Sequence, residues 1–418
     1  MKVLLISHNP ICTNNNMGKT FLSLFSEFDD AELCQLYIHP TCPDIQIRHS
    51  YYRITDKEAL KSVFTFRAPG GEINPSAEKR ETDVPAPKRE SNAASCLGRD
   101  AVWKLSHWYS KGLRSWLDRE APTHIFLAPG YAKFIYDIAL RISRDYKLPI
   151  VTYICDDYYF VRTPKSILGK IYLSLLRKKT EDLMKKTVCL VAICDEIKDL
   201  YSEKFGVEAV TLMTGSEMPR LRYVDRVPTS VSYFGNVGCN RYLSLCDIGR
   251  SLEDINLREG TAYILKVYTN EQDPAILKAL SAIPTIRLCG FATGDTFRQA
   301  MSEADLLLHT EAFDEESMDL VKHSVSTKIA DILASGIPMV AYGPAELASM
   351  KHLARHDCAL VATSKGNLLC ALMKAFSDEK ARKDAVTRAG ITMKRYHDRK
   401  KNSQELKEIM RGRYYDTT

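Results

Sequence analysis

Residues 326–344 read Ser-Thr-Lys-Ile-Ala-Asp-Ile-Leu-Ala-Ser-Gly-Ile-Pro-Met-Val-Ala-Tyr-Gly-Pro, and their pattern decides the fold. Ser326 is a good helix N-cap, and Ile329, Ile332 and Leu333 give one apolar face. Gly336 ends the helix and Pro338 opens a strand. The start of such a helix presents unbonded N–H groups and the positive end of its dipole, and Lys328 adds a full charge in the first turn. Ser326, Thr327 and Lys328 therefore suit an anion, most naturally a phosphate. Asp331 lies one turn further in, where a carboxylate suits the hydroxyls of a ribose. The same pattern also describes an ordinary capped helix whose Lys328 and Asp331 face water, so the rest of the chain has to separate the two.

On both sides of this stretch apolar runs alternate with helical periods. In the second half, strands are expected near 230–235, 261–269, 285–289, 305–309, 337–342 and 358–362. In the first half they are expected at 2–7, 124–128, 149–155, 187–193 and 208–213, with helices between. Alternation of this kind implies parallel sheets covered by helices on both faces. The expectation is an α/β protein of two doubly wound, Rossmann-like domains facing across a cleft. They are an N-terminal domain over 1–216, a linker over 217–229, a C-terminal domain over 230–395, and a terminal helical stretch over 396–418 that returns to the first domain. Residues 66–98, rich in Pro, Gly and charge, cannot bury enough apolar surface to offset ordering and read as a mobile surface loop.

With 418 residues, 45% hydrophobic and 26% charged, the chain has an ordinary globular balance and is too long for one typical core. The 12 cysteines are scattered, with no C-x-x-C pair and no metal-type spacing. That pattern predicts reduced thiols in a cytoplasmic protein with no protein metal site. The opening apolar run is too short for a signal-peptide core, and no stretch approaches the roughly 18 to 20 residues of a membrane span. The formal charge of +6 is unevenly placed, since residues 161–186 hold eight Lys or Arg against Glu181 and Asp182. Leu168, Ile171, Tyr172, Leu175, Leu176 and Leu183 fall on one side of a helix over 166–186. This suits either packing on the sheet or peripheral binding to an anionic membrane surface. No aromatic-interleaved basic motif points to nucleic acid.

In this order along the chain, the residues resemble the GT-B nucleotide-sugar glycosyltransferases, and in particular their family-4, retaining branch. The specific part is Asp331-Ile-Leu-Ala-Ser-Gly-Ile-Pro338, which is similar to that family's Glu-Ala-Met-Ala-x-Gly-x-Pro. The resemblance implies that Asp331 stands where a Glu holds the donor ribose. His323 stands where the first Glu of a Glu-x7-Glu pair is usual, so this motif is degenerate. Glu311, Asp314, Glu315 and Glu316 lie in a longer connection that could supply a carboxylate instead. The family's Gly-Arg-x4-Lys phosphate clamp falls on Gly235, Asn236 and Arg241. The loop His8-Asn9-Pro10 to Asn16-Met17-Gly18 resembles the family's Gly-rich loop near donor phosphate and acceptor. Gly18 also suits a close backbone approach for steric reasons alone.

This loop is not a Walker A sequence, because Thr13 stands where its first glycine would be, and no G-x-G-x-x-G follows a strand. Asp156 and Asp157 end a strand at the edge where open α/β sheets place ligands. They read as acceptor-binding or general-base groups, or as a solvated turn pair. His8 is a further candidate base at a strand end.

The reading implied is a glycosyltransferase moving a sugar from a UDP- or GDP-linked donor to a glycan or lipid-linked hydroxyl in polysaccharide assembly. No cofactor beyond the donor substrate is expected. The catalytic candidates are Asp156, Asp157, His8 and Glu311. Donor binding falls to Gly18, Gly235, Asn236, Arg241, His323, Ser326, Thr327, Lys328 and Asp331. The rivals are a catalytically silent GT-B-like partner subunit and a UDP-sugar 2-epimerase-like enzyme.

Overall fold

Buried, β-branched and leucine-rich runs build two sheets in a computed structural model of the chain, which describes residues 1–13, 16–43, 49–75, 92–216, 218, 223–224 and 226–412. The chain divides into two units, Met1–Thr214 with Arg399–Thr418, and Gly215–Asp398.

Among the described residues, the first unit holds strands β1 (Val3–Ser7), β2 (Leu33–Tyr37), β3 (Ser50–Arg53), β4 (Gly71–Ile73), β5 (His124–Ala128), β6 (Ile150–Ile154), β7 (Thr187–Ala192) and β8 (Ala209–Thr211). They lie in the order β4-β3-β2-β1-β5-β6-β7-β8, and every pair is parallel except β3 with β4. The order reverses between β1 and β5. Open α/β sheets offer a ligand crevice at such a switch, outside the carboxyl ends of the strands.

Three features of this unit depart from the sequence expectation. The apolar run of β2 is interrupted by Gln35, which is fully buried. Its Nε2 donates to Ser7 Oγ (2.8 Å) and the Asn9 carbonyl (3.0 Å), while its Oε1 accepts from the Ile11 amide (3.1 Å). A buried amide satisfied on both ends is compatible with a central strand, and here it fixes the loop that follows β1. The loop expected over 66–98 is corrected at both ends: β4 pairs with β3, and Ala93–Leu105 is a helix. Residues 76–91 lie outside the described residues. Third, the helical segment expected before the strand at 124–128 is two helices, Ala93–Leu105 and Lys111–Glu120, the second capped by Ser110.

The helix Arg399–Met410 belongs to the first unit. Asn402 Nδ2 donates to the Met213 carbonyl (2.8 Å), Arg399 to Leu22 O (2.9 Å), and Lys407 pairs with Glu32 (2.6 Å). Of the expected linker over 217–229, residues 217, 219–222 and 225 lie outside the described residues.

The second unit contains β9 (Ser230–Phe234), β10 (Ile264–Tyr268), β11 (Ile286–Leu288), β12 (Leu306–Thr310), β13 (Met339–Tyr342) and β14 (Leu360–Ala362). All are parallel, in the order β11-β10-β9-β12-β13-β14, and the switch falls between β9 and β12. Alternate residues of one strand feed two cores. Leu306, Leu308, Val340 and Tyr342 pack with Leu245, Ile248 and Leu372 on one face. Leu307, Met339 and Ala341 pack with Ile329, Leu333 and Met350 on the other. This period of two is why both faces need helices.

Gln35→Leu removes the partner of three polar groups around the β1 loop. We expect it to lower stability by about 1–3 kcal/mol, the scale of buried groups left unsatisfied. Urea unfolding of the variant tests this, and an unchanged midpoint would show that the loop does not depend on Gln35.

Candidate functional site

The carboxyl edge of the second sheet gathers several of the charged groups marked in the sequence. Glu311 follows β12 directly and is buried, and its Oε2 accepts from Arg241 Nε at 2.7 Å. Arg241 opens the helix Arg241–Glu259 after the β9 loop, so this ion pair bridges the two strands at the switch point. Ser244 Oγ donates to the Glu311 carbonyl (2.7 Å), and the Glu311 amide donates to Tyr342 O (3.0 Å), which fix the backbone under the pair.

His309, on β12, is also buried. Its Nε2 lies 3.7 Å from Glu311 Oε1, too long for a hydrogen bond, and has no hydrogen-bond partner among the described residues. Burial lowers its pKa; Glu311 pulls the other way, and the charges of Arg241 and Lys328 push it down further. His309 is therefore neutral.

Lys328 stands in the first turn of the helix Thr327–Ala334 and approaches the β9 loop. A Cβ at Gly235 would sit 3.2 Å from Lys328 Nζ and 3.1 Å from the Tyr233 hydroxyl. Glycine is what lets the ammonium lie against the backbone at this point. Ser326 occupies the N-cap position of that helix, but its side chain makes no capping bond. Thr327 and Ser326 are half-buried beside it.

Asn236 turns inward on its own loop. Its Oδ1 accepts from the Gly238 amide, and its carbonyl accepts from Tyr233 Oη (2.7 Å). Cys239 and Asn240 follow with φ of 51° and 54°, left-handed values at two non-glycine positions. The second is held by a bond from Asn240 Nδ2 to Asp314 Oδ2 (3.1 Å). Asp331 Oδ1 accepts from Ser216 Oγ at 2.7 Å, a partner with no local sequence signal. His323 is half-buried in the turn after the helix Glu315–Val321. Gly235, Arg241, Glu311 and Lys328 are thus brought to one edge, while Asn236 closes its own turn and Asp331 ties down Ser216.

In the first unit, a cavity of about 480 Å³ opens at the switch between β1 and β5. His8, Asp156, Tyr158 and Arg99 are among its lining residues, and Asp157 is not. Asp157 Oδ1 accepts from the amides of Tyr159 (2.9 Å) and Phe160 (3.0 Å) and from Tyr201 Oη (3.1 Å), so it organises the turn after β6. His8 Nε2 lies 2.9 Å from Arg99 Nη2, and Arg99 Nε donates to Asp56 Oδ1 (2.8 Å), which also accepts from Trp103 Nε1 (2.7 Å). Burial first, and then the charge of Arg99, lowers the pKa of His8 to about 4. The ring is neutral and accepts from the guanidinium. Arg99 is the residue that sequence reasoning missed, since nothing in its helix period distinguishes it. Gly18 packs against the preceding loop, and a Cβ there would come 2.3 Å from the Cys12 carbonyl oxygen.

Two Rossmann-like parallel sheets in this order, each with polar loops at its carboxyl edge, define the GT-B fold. No protein-family model and no curated protein matches the chain. Among solved structures it is similar to HepE from Anabaena in complex with UDP, at a TM-score of 0.65 and 11% identity over 99% of this chain and 100% of that one. It is similar also to sucrose-phosphate synthase from Thermosynechococcus elongatus (TM-score 0.63, 8% identity, 100% of both chains). A third is the UDP-forming α,α-trehalose-phosphate synthase from Burkholderia vietnamiensis (TM-score 0.60, 11% identity, 99% of this chain and 100% of that one). At these identities the likeness is one of fold.

Two outcomes follow from the geometry. Glu311→Ala leaves the mostly buried Arg241 charge without its partner and should destabilise the protein by about 3–5 kcal/mol, whereas Glu311→Leu with Arg241→Leu should lose much less. A double-mutant comparison by urea unfolding measures this, and equal losses would rule out the ion pair as the cause. His8, neutral in the fold and ordinary at about 6.5 when unfolded, contributes fully above pH 6.5, and the contribution is lost as pH falls toward 4. His8→Gln should therefore flatten the stability profile between pH 6.5 and 4 by at most about 1.4 kcal/mol per pH unit. A slope equal to that of the parent would mean that His8 titrates normally in the fold.

Proposed function

We propose that the protein is a nucleotide-sugar glycosyltransferase of the retaining, family-4-like kind. Its second unit would bind a nucleoside diphosphate sugar and its first unit a hydroxyl acceptor on a glycan or lipid-linked carrier, in polysaccharide assembly. The observation that carries this reading is Lys328 lying against the Gly235 backbone, at the strand switch and beside a helix start without a side-chain cap. A diphosphate there would meet an ammonium, the positive end of a helix and backbone amides. The buried His309 Nε2, which has no hydrogen-bond partner among the described residues, adds a polar group in the same charge cluster. UDP is the first donor to test, because HepE was solved with UDP and with UDP-glucose.

In the reaction, the bond from the anomeric carbon to the β-phosphate oxygen breaks and its electron pair leaves with the nucleoside diphosphate. The acceptor oxygen bonds to the anomeric carbon on the same face, and the hydroxyl proton passes to the departing phosphate. Lys328 and the helix start oppose the charge that grows on the leaving group, where fixed donors act most strongly. Asp331 contributes the ribose contact from a carboxylate already oriented by Ser216. The 480 Å³ cavity beside His8 and Asp156 is within the usual size range of ligand pockets and serves the acceptor. Asp100 and Asp156 are its carboxyl groups, and neutral His8 with Arg99 supplies polar contacts.

One observation favours a second reading. Arg241, the other cation of the expected phosphate clamp, already has Glu311 as its partner. A silent partner subunit that no longer turns over a donor would have use for this closed pair.

Thermal shift and calorimetry with UDP, GDP and their sugar conjugates separate the two. The transferase reading expects stabilisation by one base, with Lys328→Ala weakening diphosphate binding by about 1.5–3 kcal/mol, the scale of a charged hydrogen bond. Asp331→Ala should weaken uridine as well as UDP, while Ser216→Ala, which keeps the carboxylate, should weaken both less. No stabilisation by any nucleotide would favour the silent subunit.

A further inference from the structure

The helix Ile167–Met184 has one broad apolar side, and only part of it is used by the fold. Tyr172, Leu173, Leu176, Leu183 and Met184 are buried under the first unit. Ile167, Leu168, Ile171 and Leu175 are exposed, at 76%, 47%, 46% and 41%. At about 100° per residue these four fall within roughly 100° of arc, next to the arc of the buried set and turned away from its centre. Four aliphatic side chains in one stripe form a contiguous patch, which is informative where scattered exposed leucines are not.

The same face changes character along the helix. Beyond Leu175 it carries Lys178, Asp182, Lys185 and Lys186, with Lys178, Lys185 and Lys186 exposed. There it borders a groove of about 1210 Å³ between the helices Ala93–Leu105, Lys133–Tyr146 and Ile167–Met184. Eight cationic side chains line that groove against three aspartates. Some of these charges are spent internally: Lys179 pairs with Asp137, Lys133 with Asp100 (3.5 Å) and Lys185 with Asp182 (3.6 Å), while Lys186 lines the groove and is exposed. Lys165 and Lys170 flank the aliphatic end and are exposed. Among the described residues, no helix is long and apolar enough to cross a membrane.

We infer that the outward face of Ile167–Met184 is a docking face for an anionic lipid surface. Ile167, Leu168, Ile171 and Leu175 enter the headgroup boundary, and the lysines at either end of the stripe meet lipid phosphates. Charge and composition select this occupant. Protein interfaces are depleted in Lys and anchored by Trp, Tyr or Arg, whereas this stripe is aliphatic and rimmed by flexible lysines. Aliphatic insertion with basic flanks is the arrangement of an interfacial helix. The inference does not rest on the glycosyltransferase reading.

Flotation of the full chain with phosphatidylcholine vesicles, with and without a quarter of phosphatidylglycerol, is the test. We expect binding to the anionic vesicles, weakened at least tenfold by 0.5 M salt and by Lys178→Glu with Lys186→Glu. Ile171→Glu with Leu175→Glu should abolish it. The lysine variants are at exposed positions and keep the test valid if the aliphatic variants fail to fold. Absence of binding by the parent, equal binding to neutral vesicles, or binding unchanged by the lysine variants overturns the inference. So does a stable dimer of the parent, by light scattering, that Ile171→Glu dissociates. Nucleotide-induced thermal shifts should be the same in the lysine variants and the parent, so failure here is distinguishable from failure of the donor site.

Discussion

The pairing of Glu311 with Arg241 fixes what the second unit can offer to a ligand. Two charges this poorly exposed are costly to take out of water, and they persist because each satisfies the other. The pair fastens the loop after β9 to the end of β12, so the crevice at the strand switch has a rigid floor. It also changes the charge of the site. With Arg241 paired to Glu311 and the pKa of His309 lowered by burial, Lys328 and the helix start beside it are the further positive groups at that edge. An anion bound at this edge, as proposed above, would draw on Arg241 only by competing with a carboxylate 2.7 Å away.

Such competition separates ground-state binding from later charge development. In the transferase reading, a bound nucleotide sugar would keep its charge on the non-bridging phosphate oxygens while the sugar is attached, and the Glu311–Arg241 pair could stay closed. On the same reading, negative charge would accumulate on the leaving oxygen as the bond to the anomeric carbon breaks, and the guanidinium could turn part of its donor capacity toward it. Arg has five N–H donors, and one of them is spent on Glu311 at short range while Nη1 reaches the Gly238 carbonyl only at 3.4 Å. The remaining donors distinguish an arginine at this place from a lysine, whose charge would be fully claimed by the carboxylate.

The second sheet was legible almost strand for strand, because each of its strands is an apolar run bounded by turn residues and crossed by helices of clear period. The first sheet was less so, and the reason is local. Gln35 breaks the apolar run of β2, and its three hydrogen bonds lie to residues 24 to 28 positions away, where no periodicity reports them. Within the site, residue types were legible and partners were not. Glu311 and Arg241 are both conspicuous, but they are 70 residues apart and meet only because β9 and β12 are neighbours across the switch. Ser216 and Asp331 are 115 apart and meet for a similar reason, since the chain enters the second unit beside the helix that carries Asp331. Arg99 had no signal at all, because an arginine in an amphipathic helix is ordinary until His8 is found against it.

The helix Ile167–Met184 shows why periodicity could not choose between packing and membrane contact. Leu168, Ile171 and Leu175 lie close enough in angle to Tyr172, Leu176 and Leu183 that a helical wheel merges them into one broad apolar side. The fold divides that side, burying Tyr172, Leu176 and Leu183 and leaving Ile167, Leu168, Ile171 and Leu175 in water. Burying the inner set is sufficient to hold the helix on the sheet, so the outer set is not needed for stability. Leaving it exposed is unfavourable to solubility, and polar residues at 167, 171 and 175 would relieve that without disturbing the core. An aliphatic stripe that the fold leaves exposed, placed between lysines, is what the docking to an anionic lipid surface inferred above would account for.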